Sequence, residues 1–488
     1  MAESSSELAF NKELQSFESP IEGLVVYDLD VRGDNRGWFK ENWQRAKLTA
    51  LGLPDFGPVQ NNVSYNDKAG VTRGLHAEPW DKFVTIGKGR VFGAWVDIRD
   101  GSETFGQSFS VELDPTKAIY VPRGVANGFQ TLEDDTVYMY LVNDHWSPDG
   151  EYAFVNLADP ELGINWPLPL ETAEMSDKDK AHPLLKDALT IKPKKTLVTG
   201  ANGQLGKALR AEFPDAEFVS REDFDITGDV ARARRWKDYG TIINAAAYTA
   251  VDQAETPEGR KDAWLGNATA VANLARVAMD NQITLVHVSS DYVFDGANSE
   301  HFEDEPFSPL GVYGQTKAAG DLAAATAARH YIVRTSWVIG DGNNFVRTMQ
   351  SLAERGVKPS VVSDQVGRLT FTSDIAKGIK HLLNHQPISV LPNSNSQIPT
   401  APYGTYNLTS DGDALSWANI AKQVYELSGK SAADVTPVTT EEYYAGKEGI
   451  APRPLQSTLN IGKIKNAGFT PQNGTEALRD YVTNEGSN

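Results

Sequence analysis

From Gly23 to about Trp166 apolar and polar positions alternate in short runs, cut every few residues by Gly, Pro, Asn or Asp, and no stretch sustains a helical period. Alternation of that kind belongs to strands with one buried face. Val91 to Ile98, Ala118 to Val121 and Thr136 to Val142 are expected as strands of an all-β sandwich or barrel. Past Trp166 the chain turns polar and acidic (ETAEMSDKDKAHP), then briefly basic (IKPKK), which reads as a linker. Beyond Lys195 strand-like runs (TLVTG, AEFVS, TIINAAA, TLVHVSS, YIVRTSW) alternate with Ala-rich helical stretches. That rhythm predicts a parallel sheet wrapped by helices on both faces. From about Gly340 helices mix with loops, including PISVLPNSNSQIPTAPYG, and this remainder is expected to supply much of a substrate-binding lobe. No internal repeat is visible. The expected division is residues 1–187, a linker over 188–194, and residues 195–488.

Composition narrows the class. A chain of 488 residues is too long for one ordinary core, so two domains are expected. With 40% hydrophobic and 23% charged residues it reads as soluble and globular, and no run approaches the roughly 18 apolar residues of a membrane span. The start, MAESSSELAF, is acidic and lacks the basic and apolar regions of a signal peptide, so a cytoplasmic enzyme is expected. Cysteine is absent, which removes disulfides, thiolate metal sites and cysteine nucleophiles. A net charge of −19 opposes binding to nucleic acid or anionic lipid.

The first chemical signal is Gly200-Ala201-Asn202-Gly203-Gln204-Leu205-Gly206, directly after the strand TLVTG and opening a helix. Glycines there permit a tight turn and bring backbone N–H groups close to a pyrophosphate at the positive helix end. Ala245, Ala246 and Ala247 end a later strand, where they either line a cofactor groove or pack helix on sheet. Tyr313 and Lys317, four apart at the start of an Ala-rich segment, share one helical face. A phenol with pKa near ~10 is a poor acid-base group at neutral pH, and an adjacent ammonium is expected to favour its ionised form. The implied reaction is hydride transfer to a ketone carbon, with Tyr313 protonating the oxygen and Ser290, after a strand, orienting it. After the second strand, Ser220-Arg221-Glu222-Asp223 offers an Arg for a 2′-phosphate and acids for a ribose hydroxyl. NADPH is the expected cofactor, with NADH the alternative.

Together with NAAAYTAVDQAE, SSDYVFDG, YGQTK, RTSWVIG and RPLQSTLN, these pieces resemble the extended short-chain dehydrogenases, and more closely the dTDP-4-dehydrorhamnose reductases, over nearly all of residues 195–460. The resemblance implies a catalytic triad of Ser290, Tyr313 and Lys317, with Ser290 standing where many members carry Thr. It also implies cofactor contacts by Asp225 and Ile226, and substrate contacts by Tyr248, Asp291 and Trp337.

The β-rich half carries His76 in TRGLH, the only histidine before His145. With RGWFKENW, QNNVS, VPRGVANGF, YMYLVND and DPELGINWP it resembles the dTDP-4-dehydrorhamnose 3,5-epimerases over about residues 20–187. Such chemistry exchanges protons beside a ketone, so it needs a base, an opposing acid and a cation near the enolate oxygen. His76 is the natural base. The resemblance pairs it with Asp179, makes Tyr140 the acid and assigns Lys82 to the enolate. It gives Arg36 and Arg73 to the substrate diphosphate, and Phe39, Glu41, Gln60 and Asn62 to the nucleotide. Asn127 occupies a position where members often carry His, so its role is altered, and HAEPWDK is shorter than the usual HYQ-type stretch. One His near a single Glu78 is too few ligands for a metal, and none is expected.

The fold class implied is multidomain: an N-terminal all-β jelly roll of the cupin class, then an α/β Rossmann-type doubly wound parallel sheet with a smaller lobe. The joint function implied is epimerisation of dTDP-4-dehydro-6-deoxy-D-glucose at C3 and C5, then reduction of the C4 ketone to dTDP-L-rhamnose. Alternatives are the same chemistry on another nucleotide, a talo product, or a reductase-like binding subunit without catalysis. A homodimer through the epimerase half is a further implication of the resemblance.

Overall fold

The computed structural model describes residues 8–387 and 401–484. The first residues of the acidic start and most of the Pro/Asn/Ser-rich stretch after Gln386 lie outside the described residues. The chain divides into two compact units that meet in sequence between Pro193 and Lys194.

In the first unit six strands pair antiparallel in the order Gln15–Glu18, Val25–Asp28, Lys117–Val121, Lys82–Lys88, Thr136–Val142, Gln60–Asn66. Five more follow the order Ala153–Phe154, Thr72–Ala77, Val125–Thr131, Val91–Asp97, Ser108–Leu113, also antiparallel. Side chains alternate across each strand. Val26, Val84 and Ile119 of one sheet therefore meet Trp95, Val125 and Phe129 of the other in a shared core. On the far face of the first sheet Val25, Tyr27 and Phe83 pack under Leu48, Leu53 and Phe56. Ala94 and Val96 are covered by Val155, Leu157 and Ile191. The strand Val91–Asp97 is thus buried on both faces, which is why VFGAWVD reads as a nearly continuous apolar run. Ile191, in the stretch expected as linker, is docked here: its N–H donates to the Ile98 carbonyl at 3.1 Å and its own carbonyl accepts from Asp100 at 3.0 Å.

The second unit contains a six-stranded parallel sheet in the order Glu217–Val219, Lys195–Thr199, Tyr239–Asn244, Thr284–Ser290, His330–Thr335, Gly404–Asn407. Alternation again sorts its residues. Leu197, Ile242, Leu285 and Ile332 pack on Val271, Leu274 and Ala278 of the helix Ala270–Asn281. Val198, Ile243, Val286 and Val333 pack on Leu205 and Leu209 of the helix Gln204–Glu212 and on Ile375 and Ile379 of the helix Thr372–Asn384. A separate cluster joins the helices Phe345–Glu354, Trp417–Leu427 and Gly474–Asn484 into a smaller lobe. Because the strands are parallel, their C-terminal ends share one edge, where Gly200, Ala245 and Asp291 follow immediately. No helix among the described residues is long and apolar enough to cross a membrane.

Candidate functional site

At that C-terminal edge lies a cavity of about 1140 Å³. Gly200, Asn202, Gly203, Gln204 and Leu205 line it, as do Arg221, Asp225, Ile226 and Ala245 to Ala247. Gly200 has φ +73°, and a Cβ there would stand 2.7 Å from the Ala246 nitrogen, so only glycine lets the turn approach the neighbouring strand end. The helix Gln204–Glu212 begins at Gly203 with no side-chain cap, which leaves its first N–H groups free of side-chain acceptors beside the cavity. Gly206 is not part of the lining. A Cβ there would meet the Gly200 carbonyl oxygen at 2.2 Å, so it serves close packing of the helix on the turn. Arg221 is exposed, 3.8 Å from Asp225.

Ser290, Tyr313 and Lys317 face the same cavity, with Tyr248, Asp291 and Trp337. Tyr313 and Lys317 fall in the first turns of the helix Val312–Ala324. The Lys317 ammonium is buried and donates to the Val288 carbonyl at 2.7 Å, and burial brings its pKa down to about 8 despite Asp321. The Ser290 hydroxyl donates to Asp291 at 2.8 Å and engages Tyr313. Burial lifts the Asp291 carboxyl to about 6. The expectation for Tyr313 is reversed. Burial, then the Asp291 charge, push its hydroxyl above the ordinary value, while the Lys317 ammonium donates to the Val288 carbonyl. The phenol is therefore held protonated. Trp337 has φ +46° and is clamped by stacking on Trp417 at 3.8 Å.

Several supports were not read from the sequence. Between the helices Pro257–Trp264 and Ala270–Asn281, Leu265–Thr269 forms a π-helical turn. It aims the Asn267 amide at Tyr248, accepting its N–H at 2.9 Å and donating to its carbonyl at 3.0 Å, and at the Thr316 hydroxyl at 3.1 Å. One side chain thus ties the Ala245–Tyr248 loop to the Tyr313 helix. Beneath it Arg334 donates to the buried Asp321 at 2.9 Å, and His287, held neutral by burial, pairs with Asn244 at 3.1 Å.

In the first unit His76 Nε2 lies 2.9 Å from Asp179 Oδ1, bridging residues 103 apart in sequence. Asp179 sits in the short helix Asp177–Lys180, whose Ser176 cap accepts the Asp179 N–H at 3.1 Å. Burial would raise the Asp179 pKa, but His76, the Gly74 N–H and His182 together outweigh it and the net shift is downward. The strand carrying His76 lies close on its neighbour because Gly74 has φ +120° and a Cβ there would stand 2.6 Å from the Gly128 Cα. Lys82 is buried; its ammonium pairs with Glu78 at 2.5 Å and donates to Asn127 at 3.1 Å, and Asn127 donates to the Tyr138 hydroxyl at 3.0 Å. It also stands 5.6 Å from the centre of the Tyr140 ring. Burial raises the Tyr140 pKa, so this phenol too is protonated.

Asn62 is the register partner of Tyr140 and accepts from Gln60 at 2.7 Å. Arg73 donates to Asn66 at 3.2 Å. Arg36 and Phe39 are carried instead by the hairpin Val31–Asp34 with Gly37–Lys40, and Glu41 follows it. There Arg36 pairs with Asp34, Glu41 with Lys47, and Phe39 is 68% exposed. The residue missed here is His182. It joins His76 and Asp179 so that three ligand-capable atoms lie within 4.8 Å of one another, and the premise of a lone histidine beside Glu78 does not hold. The spacing Asp-x-x-His within SDKDKAH was the available signal.

Two family models match the chain: dTDP-4-dehydrorhamnose 3,5-epimerase over residues 18–187 and RmlD substrate binding domain over residues 194–486. A Streptococcus pyogenes protein described as an RmlC homolog is 52% identical over 197 residues, 39% of this chain and 98% of that protein. The dTDP-4-dehydrorhamnose reductase of Aggregatibacter actinomycetemcomitans is 34% identical over 58% of this chain and 97% of its own. The crystal structure of the Bacillus anthracis dTDP-4-dehydrorhamnose reductase in complex with NADP is 31% identical, with a TM-score of 0.51 over 60% of this chain and 99% of that one.

Proposed function

Since the chain belongs to the dTDP-4-dehydrorhamnose 3,5-epimerase family over its first unit and to the RmlD substrate binding domain family over its second, we propose that it makes dTDP-L-rhamnose by two successive reactions. Residues 1–187 epimerise dTDP-4-dehydro-6-deoxy-D-glucose at C3 and C5, residues 188–194 link, and residues 195–488 reduce the C4 ketone. The observation that carries this reading is the presence, in one chain, of the His76–Asp179 pair and of the cavity lined by Ser290, Tyr313 and Lys317. We read the two antiparallel sheets as a cupin-like jelly roll and the parallel sheet as Rossmann-type.

In the first reaction His76 removes a proton from the carbon beside the ketone. Asp179, kept ionised, fixes the imidazole and stabilises its protonated form. Lys82 neutralises charge growing on the ketone oxygen, and Tyr140, kept protonated by burial, returns a proton to the carbon. Glu78 sets a condition on that role: the Lys82 ammonium must be shared between this carboxylate and the substrate.

In the second reaction a bound nicotinamide nucleotide supplies the hydride. The residues present fit such a group: the first turn of the helix Gln204–Glu212, without a side-chain cap, the close-approach turn at Gly200 and the exposed Arg221 favour a pyrophosphate and a 2′-phosphate, hence NADPH. Ser290 orients the ketone oxygen and Tyr313 gives it a proton, while Lys317, four residues on in the same helix and lining the same cavity, would hydrogen-bond the nicotinamide ribose. The acidic chain, with no membrane-crossing helix among its described residues, is read as cytoplasmic. The outermost strand Gln60–Asn66, with Val63 and Tyr65 exposed, favours a homodimer through the first unit.

The test supplies the 4-keto sugar nucleotide and NADPH in deuterated water. Deuterium is expected at C3 and C5 together with loss of NADPH absorbance. His76→Ala should abolish the exchange yet still reduce pre-epimerised substrate, and Tyr313→Phe should slow reduction by about 100-fold or more while leaving exchange intact. Full reduction by Tyr313→Phe, or exchange persisting without His76, would overturn the assignment.

A further inference from the structure

Asp179 lies between two imidazoles. Its Oδ1 is 2.9 Å from His76 Nε2 and 3.7 Å from His182 Nε2, while Oδ2 accepts the Gly74 N–H at 3.4 Å. The rings of His76 and His182 meet edge to face at 5.4 Å. Phe154 stacks on His182 at 4.8 Å and presents its edge to His76 at 5.7 Å. The segment holding Asp179 and His182 is itself pinned, because Asn156 donates through its side chain to the His182 carbonyl at 2.9 Å and through its backbone to the Pro183 carbonyl at 2.8 Å. His182 is therefore a nearly buried, fixed ring aimed at the carboxylate that serves the base, and the mechanism above gives it no task.

We propose that His182 is a positioning residue of the epimerisation site, its ring nitrogen, 3.7 Å from Asp179 Oδ1, keeping the carboxylate in register with His76. The proposal rests on the epimerase reading. The backbone of the segment is fixed, but of the two carboxylate oxygens Oδ2 has the long Gly74 contact and Oδ1 has one hydrogen bond, to a ring that gains and loses its proton. A second imidazole facing the same oxygen at 3.7 Å restricts that movement. It works only while His182 is neutral, because a second cation would compete with protonated His76 for the one carboxylate. Burial, followed by the His76 charge, disfavours protonation of His182.

Three variants of the full-length chain separate this role from packing. His182→Phe keeps a ring against Phe154 and deletes the N–H, His182→Gln keeps a donor without the ring, and His182→Ala removes both. The readout is solvent deuterium exchange into the sugar nucleotide, resolved into kcat and KM. His182→Phe and His182→Ala are expected to lose about 10-fold or more in kcat with KM unchanged, and His182→Gln to recover most of it. A wild-type rate in His182→Phe would overturn the proposal, as would equal loss in all three variants or a change carried by KM alone. His76→Ala and wild type are run beside them. If wild type exchanges and His76→Ala does not, the epimerase reading stands and the His182 series decides; if wild type shows no exchange, reading and proposal fall together.

Discussion

Lys317 shows what one residue costs the protein that depends on it. Its ammonium is 1% exposed and titrates at about 8, whereas an unfolded lysine does so near ~10.4. Between those values the unfolded chain holds a proton that the folded chain has shed, so this group makes stability rise with pH across the window. Below about 8 both states are protonated and the penalty is complete. Unfolding free energies from urea titration of the cofactor-free chain at about pH 7.5 and about pH 9.5 should differ by roughly 2 kcal/mol more in wild type than in Lys317→Met. Parallel behaviour of the two would show that the lysine is not perturbed. The direction of this shift, and of the Tyr313 shift beside it, was hidden in the sequence because it is set by burial and, for Tyr313, also by Asp291, not by the four-residue spacing.

At the scale of the element, the turn from the strand Lys195–Thr199 into the helix Gln204–Glu212 lines the cavity, and the proposed nucleotide binding relies on its backbone geometry. Gly200→Ala would force a left-handed residue against the Ala246 nitrogen. It should weaken NADPH binding by about 10-fold or more in calorimetry without touching deuterium exchange in the first unit, and unchanged affinity would remove the turn from the site. The strand, turn and helix were legible because the glycines follow an apolar run and open a helical one. The strand Thr136–Val142 was equally legible, because its pattern repeats over several residues. His182 and Asn267 were not. One lies just past a helix of four residues, too short to show a period, and the other in a π-helical turn that leaves no periodic trace. Glu78 was set aside as too little for a metal site, and its ion pair with Lys82 depends on how the strand opening at Lys82 turns back toward it.

For the whole molecule, the change from period two to alternating strands and helices near Lys195 exposed two architectures, and the structure separates its units at Pro193 and Lys194. What the sequence could not carry is assembly. If the outermost strand Gln60–Asn66 is covered by a second copy, light scattering should give twice the 53.3 kDa chain mass, and Val63→Lys should shift it toward one chain. A strict monomer in wild type would reject the homodimer. The joining of two units in one chain has a further effect that does not depend on their arrangement. Every polypeptide translated delivers one catalyst of each kind, so their stoichiometry is fixed at synthesis and cannot be adjusted by expressing one more than the other. The standing pool of the epimerised ketone is then governed by the turnover of the two sites and by the supply of reducing equivalents.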